Sequence, residues 1–226
     1  MVSATACPTN PVTTPQRFRM VNFPMLTRRA LLTTAVALAA LPVLTMPGLA
    51  QPSDQAGAFI NAVLTNITAI VNGNSPLAQK QSALAQIVDR DVDVNDVARF
   101  CLGRFWRTAT PEQQRDYTAL FHSVLLRNIT GKIGDYQGVT FTLGRSQPRE
   151  GGTAVSTTVT RPNNPPSKVD WLISTTSGSP KIVDVIAEGT SLRLTQRSDY
   201  ASYLSRNNEN VQALINAMRQ QVSQPG

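Results

Sequence analysis

Asp184 and Glu188 stand four residues apart, where an apolar run gives way to a turn. Two carboxylates so placed can share general acid and general base work, provided their surroundings push their pKa values apart. No third group at a useful spacing supports that reading. Without one, Asp184 faces solvent or pairs with a neighbouring strand, and Glu188 makes turn hydrogen bonds. His122 is the only histidine, set between Phe121 and Ser123. It has no cysteine or carboxylate beside it at metal-ligand spacing, so a surface or partly buried helix position is expected. Asp89, Asp91, Asp93 and Asp96 form a local acidic cluster. It lacks the glycine and distal glutamate of a calcium loop, and helix capping by Asp93 plus solvated charge accounts for it. Neither a nucleophile elbow, a phosphate-binding loop, a dinucleotide fingerprint nor a paired-cysteine motif occurs. The sequence therefore points to no metal, no cofactor and no catalytic set. A small enzyme using Asp184 and Glu188 is the weaker alternative.

The elements that would position these residues follow from periodicity. Phe59, Ile60, Val63, Leu64, Ile67, Ile70 and Val71 recur at helical spacing over residues 54–71, and Asn72-Gly73-Asn74 ends the run. Ser75-Pro76 should cap and open a second helix, and Asp93 a short third one carrying Val94, Val97, Ala98 and Cys101. Thr110-Pro111-Glu112-Gln113 is a capping-box start to a long amphipathic helix with Tyr117, Leu120, Phe121, Val124, Leu125 and Ile129. After Gly134 the period becomes two: Val139, Phe141, Leu143; then Val155, Thr157, Val159; then Val169, Trp171, Ile173; then Ile182 to Ile186. Turn residues separate the runs, which implies an antiparallel meander of four strands. Two helices follow, one with Leu192, Leu194, Tyr200, Tyr203 and Leu204, the other with Val211, Leu214, Ile215 and Met218. Helices, strands, helices is an α+β order, with a helical layer expected over one sheet face.

The first 50 residues differ from the rest. Arg28-Arg29 precede an apolar run from Ala30 to Leu44, and Gly48-Leu49-Ala50 closes it with small residues. This is the pattern of an export signal cut near Ala50-Gln51, by the general secretory or the twin-arginine route. Translation is expected to begin at Met20 or Met25. The leader holds four of the chain's 21 basic residues (Arg17, Arg19, Arg28, Arg29) and none of its 14 acidic ones, so the remainder carries 17 against 14, a net charge of +3. No Lys/Arg cluster stands out there, so nucleic acid is not an expected partner. Cys7 lies in the leader, which leaves Cys101 without a disulfide partner; a small buried hydrophobe is its expected role. Residues 51–226 are long enough for one domain with a real core.

Four segments resemble the MlaC family, the periplasmic phospholipid-carrying proteins also labelled toluene-tolerance proteins. They are Asp93 to Trp106, ending Gly103-Arg104-Phe105-Trp106; Thr108 to Arg115 with Tyr117 and Phe121; Val169-Asp170-Trp171; and Ile182 to Leu204, which includes Ala187-Glu188-Gly189-Thr190-Ser191. The resemblance spans roughly residues 55–220. It implies a curved four-stranded antiparallel sheet, covered by several helices, that encloses an apolar lipid cavity. It also implies a monomeric, non-enzymatic periplasmic carrier with phospholipid as cargo, exchanging it with an inner-membrane ABC transporter complex through a MlaD-like subunit and with an outer-membrane lipoprotein complex of MlaA-like type, and so serving outer-membrane lipid asymmetry. A hopanoid-associated relative makes a hopanoid or other lipid the alternative cargo. The residues expected to line the cavity are Phe105, Phe121, Leu125, Val155, Val159, Trp171, Ile173 and Val185. Which strand face lines it is open, since a slip of one residue flips every side chain.

Overall fold

The computed structural model describes residues 52–223, with side chains from residue 55 onward. The expected leader, with Cys7 and the cleavage point, and the last three residues lie outside the described residues. Along the chain come α1 (Pro52–Asn72), α2 (Leu77–Asp91), α3 (Val94–Leu102), a 3-10 turn (Gly103–Arg107), α4 (Pro111–Thr130) and a second 3-10 turn (Ile133–Tyr136). Then follow β1 (Thr140–Arg149), β2 (Gly152–Thr160), β3 (Ser167–Ser174), β4 (Lys181–Ala187), β5 (Thr190–Ser191), α5 (Leu192–Arg206) and α6 (Val211–Ser223).

The α4 start carries the full capping box. Thr110 Oγ1 accepts from the Gln113 amide, and the Gln113 side chain accepts from the Thr110 amide. Together these bonds satisfy two of the donors a helix start leaves open. Asp93 caps α3 by accepting from the Asp96 amide. The expected Ser75 cap is not made: Pro76 itself occupies the cap position of α2, without a side-chain bond.

The sheet is an antiparallel meander in the order β1-β2-β3-β4-β5. It has five strands where the sequence led us to expect four, because β5 is only two residues long and too short to show a period. Glu188 and Gly189 form the two-residue turn before it, both with positive φ (48° and 80°), the backbone a tight hairpin needs. Gly152, which opens β2, is fixed by contact: a Cβ there would meet the Ile173 carbonyl oxygen at 1.9 Å.

Helices cover both sheet faces, not one. Val155, Ile173 and Ile182 pack under α1 and α2 with Ile60, Val63, Leu64, Leu84 and Ile87. On the opposite face Ala154, Leu172 and Val183 meet Val97 of α3. Strand alternation makes this possible, since neighbouring residues of β2 and β3 point to opposite faces. A separate helical core joins α3, α4, α5 and α6 around Tyr117, Phe121, Tyr200, Leu204 and Ile215. The Tyr117 hydroxyl donates to the Ala98 carbonyl at 3.0 Å, so this buried polar group is satisfied.

Candidate functional site

The carboxylates are structural. Asp184 is buried, 7% exposed, and does not face solvent as the sequence allowed. Its Oδ1 accepts from the Val185 and Arg193 amides at 2.8 and 3.1 Å, and its Oδ2 accepts from Ser191 Oγ at 2.6 Å. Ser191 Oγ in turn caps α5 by accepting from the Leu194 amide. Arg193 Nε lies 3.4 Å from Asp184 Oδ2 as an ion pair but not in hydrogen-bond geometry, which leaves Nε a buried donor without a partner among the described residues. The Arg193 guanidinium sits over the Phe100 ring at 4.3 Å, with Arg197 over the same ring at 5.0 Å. Asp184 thus bolts the start of α5 to β4. Glu188 does make turn hydrogen bonds: its Oε1 accepts from the Lys168 amide, and its own amide donates to the Lys168 carbonyl.

His122 Nε2 contacts Asp89 at 2.6 Å, an exposed link from α4 to α2 with no third group beside it. Asp91 is buried and held by both Arg90 Nε and Nη2. Among the described residues no three His, Cys, Asp or Glu side chains are grouped to hold a metal ion. Cys101 is buried in the helical core, and burial first of all pushes its thiol from 9.0 up to about 12. A thiol held neutral so far above physiological pH is a poor nucleophile.

What remains is an apolar surface. The register aligns Val155 with Trp171 and Trp171 with Val185, Phe141 with Val159, and Thr157 with Val169. All these side chains share the sheet face under α1. Val155 and Ile173 are closed over, at 0% and 2% exposed, whereas Phe141, Val169, Trp171 and Val185 are only half-buried. Phe59, Ile67 and Ile70 of α1, also half-buried, line the opposite rim. Thr157, buried at its centre, is spent internally: its hydroxyl donates to the Val169 carbonyl and accepts from Trp171 Nε1, both at 3.0 Å, while at the edge Ser146, paired with Val155, places a hydroxyl under Gly57 of α1. The result is a dry face, walled where α1 and α2 lie and partly open over β3 and β4. An open groove of about 500 Å³ adjoins it at the edge of the sheet. There a register shift between Leu143 and Ser146 pushes Gly144 and Arg145 out of line, against Gly57 and Ala58. A second groove of about 520 Å³ lies between α5 and α6 and involves none of the expected residues.

The eight expected residues fall into three groups. Val155, Trp171, Ile173 and Val185 share the face under α1 and α2. Val159 continues it in a satellite cluster with Val71 and Val139. Phe105 and Phe121 are buried in the helical core, with Leu125 packed against it, away from that face. Phe59, Ile67, Phe141 and Val169 also belong to the face and are not among the eight expected residues. Their signal was present in the apolar stripe of residues 54–71 and in the strand alternation, but periodicity does not say which helix lies on which strand.

An antiparallel meander with an apolar face beneath two helices, its carboxylates spent on capping and turns, defines a class of α+β proteins built around a greasy surface. The family model described as MlaC protein matches residues 60–220, and the chain belongs to that family. Among solved structures it is similar to the phospholipid-binding protein from Ralstonia solanacearum, determined in complex with a phospholipid, with 23% identity, a TM-score of 0.66, and coverage of 75% of this chain and 99% of that one.

Proposed function

We propose that this protein is a periplasmic lipid carrier that holds phospholipid acyl chains against the α1-covered face of the sheet. The observation that carries the reading is the half-open apolar face at Phe141, Val169, Trp171 and Val185, at whose centre the buried Thr157 hydroxyl is already bonded. Membership of the MlaC family and the phospholipid held by the Ralstonia protein support it. The energetics are sufficient without chemistry. Two acyl chains bury several hundred Å² of apolar surface, on the order of 10 kcal/mol at about 25 cal/mol per Å². In this reading the leader of residues 1–50 exports the chain. The carrier then exchanges lipid with an inner-membrane ABC transporter complex, through a MlaD-like subunit, and with an outer-membrane MlaA-like lipoprotein complex. Asp184 and Glu188 keep their structural roles, and no reaction is assigned to the protein.

The test is direct. Gently purified protein, extracted with organic solvent and analysed by mass spectrometry, should yield stoichiometric lipid. Stripped protein should reload from liposomes. Absence of lipid in both experiments sinks the reading.

A further inference from the structure

One end of the sheet gathers features that holding cargo does not require. The register pairs Thr140 with Thr160, Val159 with Ser167, and Val169 with Ala187, so the start of β1, the end of β2, the start of β3 and the end of β4 lie together. Other elements are tied to the same end. The second 3-10 turn leads into β1, with the Val139 amide donating to the Tyr136 carbonyl at 3.0 Å. The C-terminus of α1 is fastened there by Asn72, whose side chain donates to the Val139 carbonyl and accepts from the Gly138 amide. The chain then enters α2 at Leu77. From the far side β5 returns and releases α5 at Leu192.

Two large apolar side chains among the described residues are exposed at this end: Leu77 at 59% and Tyr136 at 38%. Cations accompany them. Arg161 stacks on the Tyr136 ring at 5.1 Å. Lys132 and Lys168 are exposed, and Lys80 caps the end of α1 through the Val71 carbonyl at 2.7 Å. Against these four cations the described residues of this end supply two carboxylates, Asp135 and Glu188, and Glu188 is engaged by the Lys168 amide. An exposed leucine, an aromatic ring and an excess of Lys/Arg form the combination that an anionic lipid–water interface attracts. The cluster of Val71, Val139 and Val159 lies directly behind this end and continues the apolar sheet face.

We propose that this end of the sheet docks the protein on the surface of an anionic phospholipid bilayer. Docking there would turn the Val139–Val159 end of the apolar face toward the membrane. The surface is distinct from the cargo face, so it can be tested separately from the carrier reading.

The test is flotation of the full chain, after leader removal, with vesicles of phosphatidylcholine alone or with added phosphatidylglycerol. The protein should float with the anionic vesicles, only weakly with the neutral ones, and less at high salt. Each Lys or Arg near an anionic surface is worth about five-fold in binding, so the triple variant K132Q/R161Q/K168Q should fall on the order of a hundredfold. Leu77→Ser, at a position with no core contact, should fall several-fold. Circular dichroism reports the fold of both variants, and extraction reports their cargo, which should not change. No flotation of the wild type with anionic vesicles overturns the proposal. So does unchanged flotation of the folded triple variant, or equal binding to neutral vesicles. Absence of extractable lipid from the wild type, with its flotation on anionic vesicles intact, would count against the carrier reading alone.

Discussion

Replacing Asp184 by alanine should destabilise the protein by about 3 kcal/mol. The carboxylate accepts three hydrogen bonds, from the Val185 amide, the Arg193 amide and Ser191 Oγ, and faces Arg193 Nε at 3.4 Å. Its side chain is 4% exposed and that of Arg193 is 17% exposed. Deleting one partner of a buried ion pair costs about 3–5 kcal/mol, because the other charge is left without compensation. The lower end applies here. The guanidinium keeps the Phe100 ring, and water can enter the space left beside α5. For a domain of this size, about 2–4 °C of Tm per kcal/mol gives a drop of about 6–12 °C. Asp184→Asn keeps an oxygen for the two amides but loses the charge and the oxygen that accepts from Ser191 Oγ, so a cost smaller than that of the alanine variant is expected. Urea unfolding followed by tryptophan fluorescence, with midpoints compared at constant slope, measures both variants. A loss below about 1 kcal/mol for Asp184→Ala would refute the view that Asp184 bolts α5 to β4. An enzymatic turnover abolished by Asp184→Asn would refute the structural assignment from the other side.

Two further outcomes separate the cargo face from the helical core. Trp171→Ala should leave the circular dichroism spectrum intact and sharply reduce lipid recovered by extraction, because Trp171 is only half-buried and sits between Val155 and Val185; the harsher Trp171→Asp should abolish recovery. Phe121→Ala should do the reverse, costing about 3–5 kcal/mol of stability through a core cavity while the folded fraction still yields lipid. Cys101 should not react with a thiol reagent at pH 8 until the protein is unfolded. Burial raises its folded pKa from 9.0 to about 12, so the unfolded chain binds fewer protons between those values, and the Cys101 contribution to stability is complete below about pH 9 and lost as pH rises towards about 12. A Cys101→Ala variant should lack that alkaline component in a urea titration series.

The helices and four of the strands were legible because each carries a long periodic signal or a cap with its own chemistry. Thr110 and Gln113 announce α4 from sequence alone, since a capping box needs only residues three apart. Proline carried less information at Pro76, where no side-chain bond supports the start of α2. β5 was illegible for want of length, and so was the burial of Asp184. A lone aspartate in an otherwise apolar strand reads as solvent-facing or paired with a neighbouring strand. It becomes buried only because α5 returns over the second sheet face and brings Ser191 and Arg193 to it, a contact no local pattern encodes.

The same limit explains the partition of the expected site. Val155, Trp171, Ile173 and Val185 cohere because cross-strand register is itself periodic: β2 and β3 pair in step throughout, and β3 and β4 from Val169 to Leu172, beyond which a register shift brings Ile182 rather than Val183 onto this face. Phe105, Phe121 and Leu125 are equally apolar, yet they serve a different core, because helix-to-sheet assignment depends on where α3 and α4 cross. That crossing is fixed by contacts distant in sequence, such as the Asp93 amide donating to the Ile182 carbonyl at 3.0 Å and the exposed link from His122 to Asp89. A protein that binds by an apolar face leaves no residue type to mark the site. What distinguishes the proposed cargo face from an ordinary core is the incomplete burial of Phe141, Val169, Trp171 and Val185 beside the full burial of Val155 and Ile173. That difference belongs to the way α1 lies across the sheet, and it is why the carrier reading rests on the position of one helix rather than on any reactive side chain.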